Sequence, residues 1–283
     1  MKRSWQHRKT CVFSMVFFIS TWSFAQSSPT GSAKPDTVTF RSGELQLKGL
    51  IWKPTVFSPC PVILYNHGSG PTPQRNIAPI AKAFLDQGYA FFIPFRRGQG
   101  LSTGQGQSIV QELDSVSQRD GNAARFPLMI KLHETTQLTD QLAAMSFLKT
   151  VKGIDTQRII IAGHSFGGIQ SMLIAANPHG AKAIVNFAGA AMVWGKSAEV
   201  NDWLKQMAPQ VTIPVYFIQA KNDFSIEPSL VLSEEMKKAG KTCVVKIYPP
   251  YKQSEMEAHF FIEAVQEWGP DLFRTLKEWV PTK

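Results

Sequence analysis

The chain is poor in cysteine: three in 283 residues, and Cys11, Cys60 and Cys243 have no metal-site spacing. A disulfide-stapled mini-domain and a cysteine-based zinc module are thereby excluded. It also has no internal repeat and no stretch dominated by one or two residue types, which excludes collagen, coiled-coil and disordered chains. Long hydrophobic runs are missing as well. The nearest to one, Cys11 to Phe24, is interrupted by Ser14, Ser20 and Thr21 and falls short of the ~20 apolar residues that a spanning helix needs.

What the first 25 residues do contain is Lys2, Arg3, Arg8 and Lys9 with no acid, then that apolar run, then Ser23-Phe24-Ala25. This is a basic n-region, a short h-region and a small-residue cleavage site before Gln26, so an export signal over residues 1–25 is expected. The mature chain would be periplasmic or extracellular, with no stable membrane insertion. Without those four cations the formal charge drops from +9 to +5, and no remaining window reads as a basic stripe. Nucleic acid is not expected as a partner. Residues 26–35, QSSPTGSAKP, read as a flexible leader, and residues 36–283 as one domain.

That domain opens on two extended runs, Thr37–Phe40 and Leu45–Trp52, joined as a hairpin by Arg41-Ser42-Gly43-Glu44. Strand-like and helix-like runs then alternate. Strands are expected at 61–65, 89–94, 158–162, 183–188, 215–219 and 243–248. Helices are expected near 77–87, 131–150, 197–208, 229–239 and 260–280, with a further one after Gly168 up to about Asn177 and a Gly/Ser/Gln-rich loop up to about residue 108. The pattern implies an α/β fold with a mostly parallel eight-stranded sheet, an antiparallel N-terminal hairpin and helices on both faces.

The strongest chemical signal is Gly163-His164-Ser165-Phe166-Gly167, a G-x-S-x-G between a buried strand and a helix. Such a turn strains the serine backbone and lifts its hydroxyl above the sheet, while the N–H of the next residue, Phe166, points at a developing oxyanion. Serine needs a base, and the base an orienting acid, in the chain order Ser, Asp or Glu, His. Asp223 follows the strand ending near Gln219, and His259 follows the last strand; Glu227 is the rival acid. The second oxyanion donor belongs to the loop Asn66-His67-Gly68-Ser69-Gly70, with the N–H of Ser69 assigned and Gly70 as the alternative. His67 precedes the nucleophile in the chain and reads as a structural residue of that loop.

These residues resemble the α/β-hydrolase superfamily, and within it the dienelactone-hydrolase-like and prolyl-oligopeptidase-like serine esterases. The resemblance runs over roughly residues 36–280. It rests on His67-Gly68, Arg97-Gly98-x-Gly100-x-Ser102-x-Gly104, Gly163-His164-Ser165-Phe166-Gly167-Gly168 and Asp223-x-x-Ile226-x-Pro228. It implies the α/β-hydrolase fold, a catalytic set of Ser165, Asp223 and His259, no cofactor and no metal. There are two departures. Ser165 stands where dienelactone hydrolases proper carry cysteine, which points to ordinary esters, and Glu257-Ala258-His259-Phe260 lacks the glycines that commonly flank the family's histidine. The family's strand order would also keep Cys60 and Cys243 four inter-strand steps apart, roughly 19 Å, beyond the ~7 Å limit for a disulfide.

The reading is therefore an exported serine hydrolase acting on small-molecule carboxylic esters. A prolyl-oligopeptidase-type serine peptidase and a non-catalytic binding protein on the same fold are the alternatives. Phe95, Met192, Trp194 and Phe260, with Phe166, fall near the elbow or the strand ends and form the expected apolar substrate site.

Overall fold

The computed structural model describes Met1 and residues 34–282 apart from 56–58, 74, 178 and 179. The expected export signal, and the leader up to residue 33, lie outside the described residues. The elements in chain order are β1 (Asp36–Ser42), β2 (Leu45–Trp52), β3 (Cys60–Asn66), α1 (Ile77–Leu85), β4 (Ala90–Pro94), α2 (Ile109–Asp120), α3 (Arg125–Glu134), α4 (Thr136–Leu148), β5 (Ile154–His164), α5 (Phe166–Ala175), β6 (Ala181–Phe187), α6 (Ala198–Met207), β7 (Val215–Ala220), α7 (Glu227–Lys238), β8 (Cys243–Tyr248), α8 (Glu255–His259) and α9 (Val265–Trp279).

The strands form one eight-stranded sheet in the order β1-β2-β4-β3-β5-β6-β7-β8. From β4 to β8 all neighbours are parallel, while β2 pairs antiparallel with both β1 and β4. Period-two side-chain alternation splits the core between the two faces. Ile63, Tyr65, Phe91, Ile160 and Val185 pack with residues of α1 and α9. On the other face Val62, Leu64, Phe92 and Ile161 pack with Ala144, Met145 and Leu148 of α4. With both faces covered, the central strands β3 and β4 are buried at every position.

Two expected helices turn out to be divided. The single helix expected over 131–150 breaks at Thr135, whose backbone is non-helical. On one side of the break Met129 and Leu132 serve a core cluster with α5 and α6. On the other side Met145 and Leu148 serve the sheet. A straight helix cannot point one apolar stripe at both. The helix expected over 260–280 begins earlier, as α8, and restarts as α9 after a 3₁₀ turn at Phe261–Glu263. A capping box starts α8: Ser254 Oγ accepts from Glu257 N–H and Glu257 accepts from Ser254 N–H. A second capping box, Ser108 with Gln111, starts α2, a helix absent from the sequence reading. Among the described residues no helix is long and apolar enough to cross a membrane.

Cys60 lies on β3 and Cys243 on β8, with β5, β6 and β7 between them, and both are unpaired. Cys60 is buried and Cys243 half-buried, and desolvation pushes both thiols up from their usual range.

Candidate active site

Ser165 sits between β5 and α5 at φ 55°, ψ −120°, a backbone conformation that costs a non-glycine residue of order 1–3 kcal/mol. The surroundings hold it there. Its N–H donates to the carbonyl of Phe187 on β6 at 2.9 Å, and its own carbonyl accepts from Gly168 N–H at 2.9 Å. The flanking glycines are steric necessities. A Cβ on Gly163 would run into the Gly167 carbonyl, and one on Gly167 into that of Asn66 at the end of β3.

Past the ends of β7 and β8, Asp223 and His259 meet in a fully buried pair. His259 Nδ1 donates to Asp223 Oδ1 at 2.9 Å. The carboxylate is saturated by two further donors, the Phe224 N–H at 2.7 Å on Oδ1 and Gln219 Nε2 at 2.9 Å on Oδ2. With Nδ1 committed as donor, Nε2 of a neutral ring is left as an acceptor, and it has no protein partner among the described residues. Behind the ring, His164 Nε2 donates to the His259 carbonyl at 2.7 Å. Burial first, then the neighbouring His259, pushes His164 down to about 3, so it stays a neutral donor at ordinary pH.

The loop after β3 is clamped by its carbonyls. Arg96 Nη2 donates to the carbonyls of His67 at 2.9 Å and Gly68 at 2.8 Å, and Gln99 Nε2 to those of Ser69 and Gly70, both at 2.8 Å. Four successive carbonyls are thus held, while the N–H groups of Ser69 and Phe166 have no protein acceptor among the described residues. Arg96 is wholly buried, desolvation brings its guanidinium down to about 9, and its Cζ lies 4.7 Å from the centre of the Phe166 ring. His67 Nε2 accepts from Arg96 N–H at 3.3 Å, which leaves Nδ1–H to donate to the Gly68 carbonyl at 2.7 Å. One nitrogen is used within the loop and the other on Arg96 after β4, and burial and Arg96 hold it far below its usual range.

No role for Arg96 or Gln99 follows from the sequence reading; the available signal is an Arg-Arg-Gly-Gln run at the end of a buried strand. Gln99→Leu is expected to lower kcat on the order of 10²-fold with KM little changed, because freeing two carbonyls lets the loop drift by a fraction of an ångström to an ångström. Steady-state kinetics on a folded variant check it. A rise in KM at constant kcat would instead assign Gln99 to substrate binding.

Two cavities meet at Ser165. The larger, about 490 Å³, has His164, His259, Phe260, Met256 and Lys252 on one side and the loop from His67 to Pro73 on the other. The smaller, about 290 Å³, is walled by α2, α3 and α5. Ser69, Ser165 and Met192 line both; His259 lines only the larger, Phe166 only the smaller.

The structure sorts the other expected residues. Phe260 and Met192 line the cavities, and Phe260 is 43% exposed at the rim. Phe95 does not: it is fully buried against the His67 ring, because the turn at Gly100 closes over it. Trp194 also lines neither cavity, since its Nε1 donates to Glu227 at 3.0 Å. Glu227, the rival acid, is thereby engaged on the exposed start of α7, away from His259.

The model of the dienelactone hydrolase family matches residues 47–264. A quorum-quenching protein, AidA of Acinetobacter baumannii (strain MDR-ZJ06), is 28% identical over 152 residues, 54% of this chain and 43% of that one. Among solved structures, Pyrococcus horikoshii acylaminoacyl peptidase superposes with a TM-score of 0.63 at 20% identity, over 88% of this chain and 42% of that one. A Pyrococcus furiosus esterase gives 0.63 at 14% identity over 87% and 93%. Dienelactone hydrolase from Anabaena variabilis gives 0.57 at 18% over 87% and 96%. At these identities the structural likeness is one of fold, and the chain spans less than half the length of AidA and of the peptidase. The family match covers well over half of the chain and agrees with the sheet order and the elbow: this chain belongs to the dienelactone hydrolase family of α/β-hydrolases and esterases.

Proposed function

We propose that the chain is a serine hydrolase that cleaves small-molecule carboxylic esters through an acyl-enzyme. Ser165 Oγ attacks the ester carbonyl, and His259 Nε2 takes its proton and returns it to the leaving alcohol. Asp223 holds the ring in the required tautomer, and the N–H groups of Ser69 and Phe166 receive the oxyanion. The observation that carries this reading is the buried 2.9 Å Asp223–His259 bond, whose free imidazole nitrogen belongs to the residue lining one cavity with Ser165. Water then resolves the acyl-enzyme by the same proton transfers in reverse.

The peptidase alternative draws on the fold shared with acylaminoacyl peptidase, a chain more than twice as long. A panel of p-nitrophenyl esters beside a panel of peptide p-nitroanilides separates the two. Turnover of esters with anilides untouched is the expected result, and efficient anilide cleavage would replace the reading. A fold used only for binding would turn over neither.

Export remains part of the proposal, on the basic n-region, the apolar run and Ser23-Phe24-Ala25. N-terminal sequencing of protein from the periplasm or medium should begin near Gln26; an intact Met1 in the membrane pellet would overturn it.

A further inference from the structure

The two cavities are not equivalent with respect to the reaction, and this separates the two halves of the substrate. Around the tetrahedral carbon stand Ser165 Oγ, the oxyanion, the leaving oxygen and the acyl chain. The oxyanion goes to the Ser69 and Phe166 N–H groups, and the leaving oxygen must lie beside His259, which protonates it. His259 lines only the larger cavity, so the leaving alcohol exits there. The remaining substituent is directed to the opposite side of Ser165, where Phe166 opens the smaller cavity. Leu113 of α2, Met129 of α3 and Ile169 of α5 are buried apolar side chains that face the smaller cavity, with Arg125, His133 and Lys196 also among its lining residues. The larger cavity mixes Ile77, Ile80 and Met256 with Arg75, Lys252 and Glu263, so the position of His259 and not wall polarity separates the two.

We infer that the smaller chamber is the acyl site, and that the substrates are esters of apolar, medium-length carboxylic acids whose chain length is limited by Leu113 and Met129. The inference rests on the serine-hydrolase reading and deepens it. The chamber is walled by α2 and α3, so an acyl chain gains from each methylene until it reaches Leu113 and Met129. Within that range kcat/KM should rise roughly three- to fourfold per added methylene. Beyond it, the methylene that meets the wall should reverse the trend.

The test is the acyl-length profile of p-nitrophenyl esters from acetate to dodecanoate on wild type, Leu113→Phe, Met129→Ala and Met256→Trp. Leu113→Phe should move the optimum to shorter acids, with at least a tenfold loss at the wild-type optimum relative to acetate. Met129→Ala should move it to longer acids. Met256→Trp, at the exposed rim of the larger cavity, should leave the acyl profile in place while changing the response to alcohol size in a series of acetate esters. A crystal structure of the wild type inactivated with a p-nitrophenyl alkylphosphonate gives a readout that does not depend on variants folding: the alkyl chain should lie between α2 and α3. An acyl profile that follows Met256→Trp and ignores Leu113→Phe, or an alkyl chain found beside Lys252 and Met256, would overturn the assignment while the serine-hydrolase reading stands. A wild type that neither turns over any ester nor reacts with the phosphonate would remove both.

Discussion

Ser165→Ala is expected to lose ester hydrolysis by on the order of 10⁶-fold, the size of effect seen when a triad nucleophile is removed, and to lose all labelling by a fluorophosphonate probe. Circular dichroism should match the wild type, because the elbow is held by backbone bonds from Ser165 to Phe187 and Gly168 and not by the hydroxyl. The backbone supplies a companion result. At φ 55° an alanine is as strained as the serine, whereas a glycine is not. Ser165→Gly should therefore be equally inactive but more stable by about 1 kcal/mol, a rise of roughly 2–4 °C in Tm for a domain of this size. Labelling that persists in Ser165→Ala would move the nucleophile elsewhere. A Ser165→Gly variant no more stable than the wild type would mean that the strain relieved at the elbow does not exceed the unfolded-state entropy cost of glycine.

The second large effect lies in the Asp223–His259 pair. On the proposed mechanism, His259→Ala should lower kcat by several orders of magnitude with little change in KM, since a general base would act in the transition state and make no uniform contact with the bound ester. Asp223→Asn should cost about 10⁴-fold if the pair behaves as in the serine-protease template. The structural reason is specific. Oδ1 accepts from both His259 Nδ1 and Phe224 N–H, and Oδ2 accepts from Gln219 Nε2. An amide at this position must turn its NH₂ toward one of those donors, and where it faces Nδ1 the imidazole is held in the tautomer that leaves Nε2 protonated and unable to take the serine proton. Glu227→Gln is the control and should stay within about twofold, because that carboxylate is exposed and bonded to Trp194 Nε1. An active Asp223→Asn beside an inactive Glu227→Gln would reverse the assignment of the acid.

Most of the fold was legible because it is written in local pattern. Val62-Ile63-Leu64 and Ile159-Ile160-Ile161 are apolar at every position and β-branched in large part, which together with their short length suits a strand buried on both faces. The divided helices were less legible. Apolar spacing reports that a segment is helical but not which core cluster its stripe meets, and the break at Thr135 arises where the target changes. The start of α2 was readable in principle, since Ser108 and Gln111 form a capping box ahead of Ile109, Leu113 and Val116.

By itself the sequence determined the α/β class and the strand-turn-helix position of Ser165. It also determined that an acid and a histidine stand after later strands, at Asp223 and His259, because each of these follows from residues adjacent in the chain or from the order of elements. The tertiary structure alone decided which acid meets His259, that Arg96 and Gln99 hold the carbonyls of the loop beside Ser165, that Phe95 is core and Phe260 rim, and that two separate cavities flank the serine. Those outcomes depend on contacts across tens of residues, such as Arg96 with Gly68 or Asp223 with His259. No local pattern encodes them: a side chain's partner is set by where the sheet order brings other strand ends, and the same Trp194 or Phe95 can face a cavity or the core without any change in its own neighbours in the chain.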